Sequence, residues 1–353
     1  MRKPDAGFWA RTPVFVTGHM GFKGAWLCSL LSHLGARTTG YGKDKREKLL
    51  FNDLCIPHHA HHVGDINDLQ SMSSVLNRSG AEVLFHLAAQ PIVLNSYTDP
   101  VETFESNVMG TVRVLQAARS APGLKAIVVV TTDKVYRNNE WVWGYREQDE
   151  LGGSDPYSAS KAAAEIATHA MVTSFFRGPG APAVATSRAG NVIGGGDWAD
   201  HRLLPDAARA LGAGAPLVCR HPDSIRPWQH VLDPLVGYML LAEDLAQRRC
   251  SMPAWNFGPA QEDVLTVGNV ADIFVTAWGS GAKWTSSATG EADKKESGVL
   301  TLDSSLARRE LGWRPRWSSA EAVSRTANWY RQHEQGASAR ALVDKDITDY
   351  LAS

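Results

Sequence analysis

Residues 12–35 read TPVFVTGHMGFKGAWLCSLLSHLG, and this stretch decides the fold class. Thr12–Thr17 is a short β-branched, apolar run stopped by a glycine, the signature of a buried strand. Ala25–Leu34 reads as an amphipathic helix closed by Gly35. Between them Gly18, Gly21 and Gly24 give G-x-x-G-x-x-G. Glycine lets the backbone turn tightly and approach a pyrophosphate, and the free N–H groups at a helix N-terminus favour an anion. The context predicts a dinucleotide site; a tight turn without a ligand is the alternative.

Working outward, further apolar runs occur at Ala36–Tyr41, Val83–Leu87 and Ala126–Val130, and Val101–Ala118 carries helical periodicity. Apolar strands alternating with helices predict a parallel sheet covered on both faces. Gly279–Gly298 is the loosest segment, and the last 40 residues look helical and charged. The 353 residues carry 36 Lys+Arg against 37 Asp+Glu, which argues against a generic nucleic-acid binder. No apolar run approaches the roughly 20 residues of a membrane span. The basic N-terminus lacks a signal-peptide core. Cys28, Cys55, Cys219 and Cys250 lie far apart without a CxxC pair, so they read as reduced thiols of a cytosolic protein. Tryptophan is unusually abundant: 12 residues, above Tyr at 8 and Phe at 10.

The ribose anchor is less regular. An acid is expected at the end of the second strand, where GYGKDKRE offers Asp44 flanked by Lys43, Lys45 and Arg46. Those bases suit a 2′-phosphate equally well, so local chemistry leaves NAD and NADP both open. Asp65 reads either as an adenine contact or as a helix N-cap. His58, His59, His61 and His62 (HHAHH) invite a metal reading, but they fall on an expected solvated loop without recognisable ligand spacing, and no metal is assigned.

The catalytic signal lies downstream. TTDKVY follows the strand AIVVV, and DPYSASK places Tyr157 and Lys161 four residues apart, on one face of a helix. A tyrosine is a poor base at neutral pH; an ammonium one turn away stabilises its phenolate. Such a pair can remove a hydroxyl proton while hydride leaves the carbon.

These motifs, with FHLAAQP, ESNVMGTV, EWVWGYRE, RAGNVIGGGDW, RPWQHV, AWNFGP and LGWRP, resemble the extended short-chain dehydrogenase/reductases that act on nucleotide sugars. Within that family the resemblance is nearest the CDP-glucose 4,6-dehydratase branch. It implies an α/β fold: a Rossmann-type doubly wound parallel sheet in residues 1–187 plus approximately 228–255, with a smaller, discontinuous α/β substrate domain in 188–227 and 256–353. It implies an NAD-dependent lyase acting on CDP-glucose or a related nucleotide sugar; dehydration or 4-epimerisation of another nucleotide sugar, or a non-catalytic dinucleotide-binding scaffold, are the alternatives. Cofactor contacts are implied for Gly18, Gly21, Phe22, Lys23, Gly24, Asp65, Ile66, Leu87, Ala88, Ala89, Tyr157 and Lys161. Thr132 is implied at the sugar 4-hydroxyl, Tyr157 as base, Lys161 at the nicotinamide ribose and Asp133 as the acid at C6. Lys134 stands where many dehydratases carry Glu, as base for the C5 proton or as stabiliser of the enolate.

For the nucleotide sugar, Asn191 offers an amide to a phosphate or sugar oxygen. Arg226, in RPWQHV with His230, resembles the family's pyrophosphate segment, and Arg202 and Arg188 are further phosphate candidates; a structural salt bridge is the alternative for each. Trp141, Trp143, Trp198, Trp228 and Trp255 fall in these motifs and are expected to wall the pocket. The family's habit of pairing two helices per subunit implies a homodimer through Val101–Ala118 and Ala159–Phe176, whose apolar faces equally suit ordinary core burial; no nucleic acid or membrane partner is expected.

Overall fold

The apolar run after Thr12 becomes strand β1 (Pro13–Thr17), with Val14, Phe15 and Val16 almost wholly shielded because both faces of its sheet are covered. The computed structural model describes residues 2–43, 49–279, 281–286 and 299–353. Six more strands join β1: β2 (Arg37–Gly42), β3 (His59–Val63), β4 (Val83–His86), β5 (Ala126–Val130), β6 (Ala183–Ala189) and β7 (Ala254–Phe257). Every pairing is parallel, in the order β7-β6-β5-β4-β1-β2-β3. The order reverses between β1 and β4, so a crevice opens beyond their carboxyl ends, where open α/β sheets bind ligands.

Helix α1 (Phe22–His33) starts at the glycine turn, three residues before the apolar pattern predicts. It is not amphipathic: every residue from Gly24 to Leu31 is buried, since the sheet lies on one side and helices Leu50–Leu54 and Ala339–Ala352 on the other. The expected helix over 101–118 is interrupted. Asp99 caps Pro100–Phe104, a π-turn spans Glu105–Met109, and Gly110–Ala118 resumes the α-helix. Helix α2 (Pro156–Phe175) is capped by Asp155, whose carboxylate accepts from Ser158 N at 2.9 Å.

The HHAHH segment corrects the expectation of a loop. His59–Val63 is the edge strand β3, in register from Thr38↔His59 to Gly42↔Val63, because the open edge of β2 supplies backbone partners. Of the loose segment, residues 280 and 287–298 lie outside the described residues, while Trp284–Ser286 pairs with Leu217–Cys219. Two C-terminal helices, Ser319–Glu334 and Ala339–Ala352, bury Trp329, Tyr330 and Tyr350 against the body. All four cysteines are free, and no described helix is long and apolar enough to cross a membrane.

Candidate active site

A cleft of 1720 Å³ runs across the carboxyl ends of β1 to β6, lined in turn by Gly18, Gly42, Asp65, Leu87, Thr132 and Asn191. Its floor is the glycine turn. Gly18 has φ +73°, and a Cβ there would sit 2.7 Å from Ala88 N. A Cβ on Gly24 would sit 2.2 Å from the Gly18 carbonyl oxygen. The turn therefore packs directly on the residues that follow β4 and on α1, and the start of α1 faces the cleft with no side-chain cap. This cradle fits a dinucleotide pyrophosphate. Phe22, Lys23, Ile66, Leu87, Ala88 and Ala89 line the same space. Burial, with Arg202 and Lys161 nearby, lowers Lys23 to about 7.

At the ribose end, Asp65 lines the cleft and receives Lys43 Nζ at 2.6 Å. The N-cap of the next helix, Leu69–Ser79, is Asp68. The capping reading of Asp65 thus gives way to a cleft position. Asp44, Lys45 and Arg46 lie outside the described residues.

The catalytic candidates converge at the end of β5. Thr132 Oγ1 donates to Asp133 Oδ1 at 2.9 Å, and Lys134 Nζ reaches the same oxygen at 3.1 Å. Thr132, Lys134, Tyr157 and Lys161 line the cleft. Asp133 is completely buried behind them, and its second oxygen, Oδ2, has no protein partner. Burial raises the Tyr157 phenol above its ordinary value of 10.0; Lys134 and a hydrogen bond with Thr132 oppose that rise. Lys161 Nζ donates to the Val130 carbonyl at 3.2 Å, and burial lowers it to about 8.

The substrate candidates divide. Asn191, Arg202 and Arg226 line the cleft, and Arg202 is steadied by Asp197 Oδ2 at 2.6 Å. His230 does not reach the cleft. Its short strand pairs with Val192–Ile193, which turns the imidazole into the core between Trp26 and Trp317, at ring distances of 5.7 and 4.6 Å. Arg188 is likewise structural: it forms a fork on Glu165, Nε to Oε1 and Nη2 to Oε2, both 2.9 Å. Of the five motif tryptophans, Trp198 and Trp228 line the cleft, whereas Trp255 is core, Trp141 stacks on Tyr145 outside the cleft and Trp143 stands exposed on an outer loop.

Sequence reasoning missed Asn107. The π-turn directs its amide to the backbone of Gln90, accepting from N at 2.8 Å and donating to O at 3.1 Å, and to Ser160 Oγ at 2.9 Å. It ties the β4 loop of the cleft to the Tyr157 helix. Its motif, ESNVMG, was visible, but a single π-turn has no composition signal.

Residues 15–326 match the family model described as GDP-mannose 4,6 dehydratase. The chain is 42% identical to the CDP-glucose 4,6-dehydratase of Salmonella typhimurium, with 99% of each chain covered. The solved structure of MoeE5 in complex with UDP-glucose and NAD is 26% identical, with TM-score 0.77, 91% of this chain covered and 99% of that one. The dTDP-glucose 4,6-dehydratase of Bacillus anthracis, solved with NAD, shares the fold at 20% identity and TM-score 0.76, covering 92% and 98%.

Proposed function

This chain belongs to the GDP-mannose 4,6 dehydratase family, a family of nucleotide-sugar lyases, and from that premise we propose that it converts CDP-glucose, with bound NAD, to CDP-4-keto-6-deoxyglucose. The observation that carries the reading is the Thr132–Asp133–Lys134 cluster beside Tyr157. A 4-epimerase needs a hydroxyl and a tyrosine at C4, but no acid and base for C6 and C5. The CDP preference rests on the full-length relative at 42% identity.

NAD, when bound, supplies the hydride acceptor for C4 and the donor that later returns hydride to C6. Tyr157 takes the proton of the 4-hydroxyl, with Thr132 holding the oxygen. The resulting 4-ketone acidifies the C5 proton. Lys134 and Asp133 then act as one unit. The pair, in contact at 3.1 Å, takes up the C5 proton and delivers a proton to the departing C6 hydroxyl, which leaves as water, so its net charge is unchanged; Lys134 serves as the base at C5 or as the cation that stabilises the enolate. Arg226 and Arg202 match the pyrophosphate oxygens as guanidinium forks.

A second copy of the chain is expected across the two helical segments of 101–118 and 159–176, where Val101, Phe104, Met109 and Ile166 are exposed.

The test offers the purified protein CDP-, UDP-, GDP- and dTDP-glucose with NAD and identifies products by mass and NMR. A 4-keto-6-deoxy sugar from CDP-glucose is expected. Product from another donor alone overturns the specificity, and a C4 epimer with its C6 hydroxyl intact overturns the dehydration. Asp133→Asn removes the transferable proton, so elimination is expected to slow by about 10²-fold while C4 oxidation continues. Borodeuteride trapping then recovers a hexose that carries deuterium at C4 and keeps its C6 hydroxyl; equal loss of both steps would contradict the role of Asp133.

A further inference from the structure

We propose that His19, His59 and His61 form a binding site for one zinc-type divalent transition metal, joining the glycine turn to the edge strand β3. The proposal is independent of the catalytic reading. Among the described residues, one ring nitrogen from each of the three histidines lies within 4.8 Å of the others. Small ring rotations bring three such nitrogens to the roughly 2 Å that zinc–imidazole bonds require. His19 Nε2 already faces His61 Nδ1 at 2.6 Å, so the two imidazoles hold one proton between them, which a metal ion would replace.

The site is built by the register of two strands. His59 and His61 alternate onto one face of β3 and pair with Thr38 and Gly40 of β2. Gly40 is required: a Cβ there would sit 2.2 Å from His19 Cγ, so only a bare backbone lets the His19 ring lie across β2 and reach β3. His59 Nδ1 lies 2.7 Å from Thr38 Oγ1. With Nδ1 carrying the proton to that hydroxyl, Nε2 keeps its lone pair for a metal, the orientation ligating histidines commonly receive from a hydrogen-bonding neighbour. Phe51 closes the apolar side, its ring centre 5.0 to 5.3 Å from those of all three histidines.

In this cluster two ring nitrogens, His59 Nε2 and His19 Nδ1, are buried without a hydrogen-bond partner, although buried ring nitrogens are usually paired. A cation shared with His19 and His61 satisfies His59 Nε2. His61 is exposed, which leaves a water to complete a four-coordinate shell. Imidazole donors without carboxylate favour Zn²⁺, Co²⁺, Ni²⁺ or Cu²⁺ over Mg²⁺ or Ca²⁺. The metal would fix the turn that carries Gly18 to the strand edge.

The experiment uses full-length, tag-free protein stripped with chelator and titrated with Zn²⁺ by calorimetry and with Co²⁺ by visible absorption. One equivalent of either metal is expected to bind, with a cobalt spectrum of nitrogen-rich, low-coordinate geometry. His61→Gln and His59→Gln should each abolish that equivalent, and Thr38→Val should weaken it about 10–100-fold. His58→Ala and His62→Ala should leave it unchanged, and circular dichroism should confirm that every variant folds. Absence of a stoichiometric site would overturn the proposal. So would binding that survives His61→Gln, or binding lost equally in His58→Ala and His62→Ala, which would mean chelation by surface histidines.

Discussion

Replacing Tyr157 with Phe is expected to lower kcat by about 10³-fold, within the range that positioned acid–base groups contribute, while KM and the fold stay close to wild type. The phenol is the group set against Thr132 and Lys134 in the cleft, and its ring remains as packing in the variant. Steady-state kinetics with CDP-glucose, alongside thermal melting, checks both halves of the expectation. A pH profile gives a second reading. Burial holds the phenol above its ordinary value, so the reactive phenolate fraction of the free protein grows as pH rises toward that raised value. kcat/KM should therefore climb with pH across the neutral range, and that climb should vanish in Tyr157→Phe.

Arg188→Met is expected to destabilise the fold by about 3–5 kcal/mol, the cost of leaving a buried charge without its partner. Arg188 and Glu165 are each 4% exposed at the side chain, and Glu165 also accepts from Thr131 Oγ1 at 2.5 Å and Thr186 Oγ1 at 2.7 Å. The network pins the Tyr157 helix to β5 and β6. Arg188 and the two threonines hold the Glu165 carboxyl below its ordinary value despite burial. In wild type that group's contribution is present above the ordinary carboxylate range and is lost as pH falls through the lower folded value. Without Arg188, burial acts on Glu165 with its strongest counterweight gone, and its folded value rises. The variant's deficit should then be largest at neutral pH and shrink toward pH 5, as a neutral carboxyl becomes tolerable. Urea denaturation at the two pH values measures this. The double variant Arg188→Met/Glu165→Leu should recover part of the loss.

The parts legible in the sequence are those whose physics is local. Gly18, Gly21 and Gly24 announce themselves between a strand and a helix, and the four-residue spacing of Tyr157 and Lys161 fixes their common face once Asp155 and Pro156 begin the helix. What escaped depends on partners distant along the chain. HHAHH is polar enough to read as a loop, and becomes a strand only because β2 presents an open edge. Arg188 looks like a phosphate ligand until Glu165, on a neighbouring helix, is seen to hold it. His230 sits in a motif that does reach the cleft through Arg226, yet strand pairing turns it the other way. The tryptophan excess splits for the same reason: Trp198 and Trp228 face the cleft, while Trp255 is one residue of a buried strand.

The most direct test of the central claim follows a single atom. CDP-glucose carrying deuterium at C4 is turned over with unlabelled NAD in ordinary water, and the product is read by NMR and mass spectrometry. Internal hydride return predicts that the deuterium appears in the C6 methyl group of a 4-keto-6-deoxy sugar, within the same molecule. Deuterium retained at C4 of a hexose that still carries its C6 hydroxyl would contradict the account.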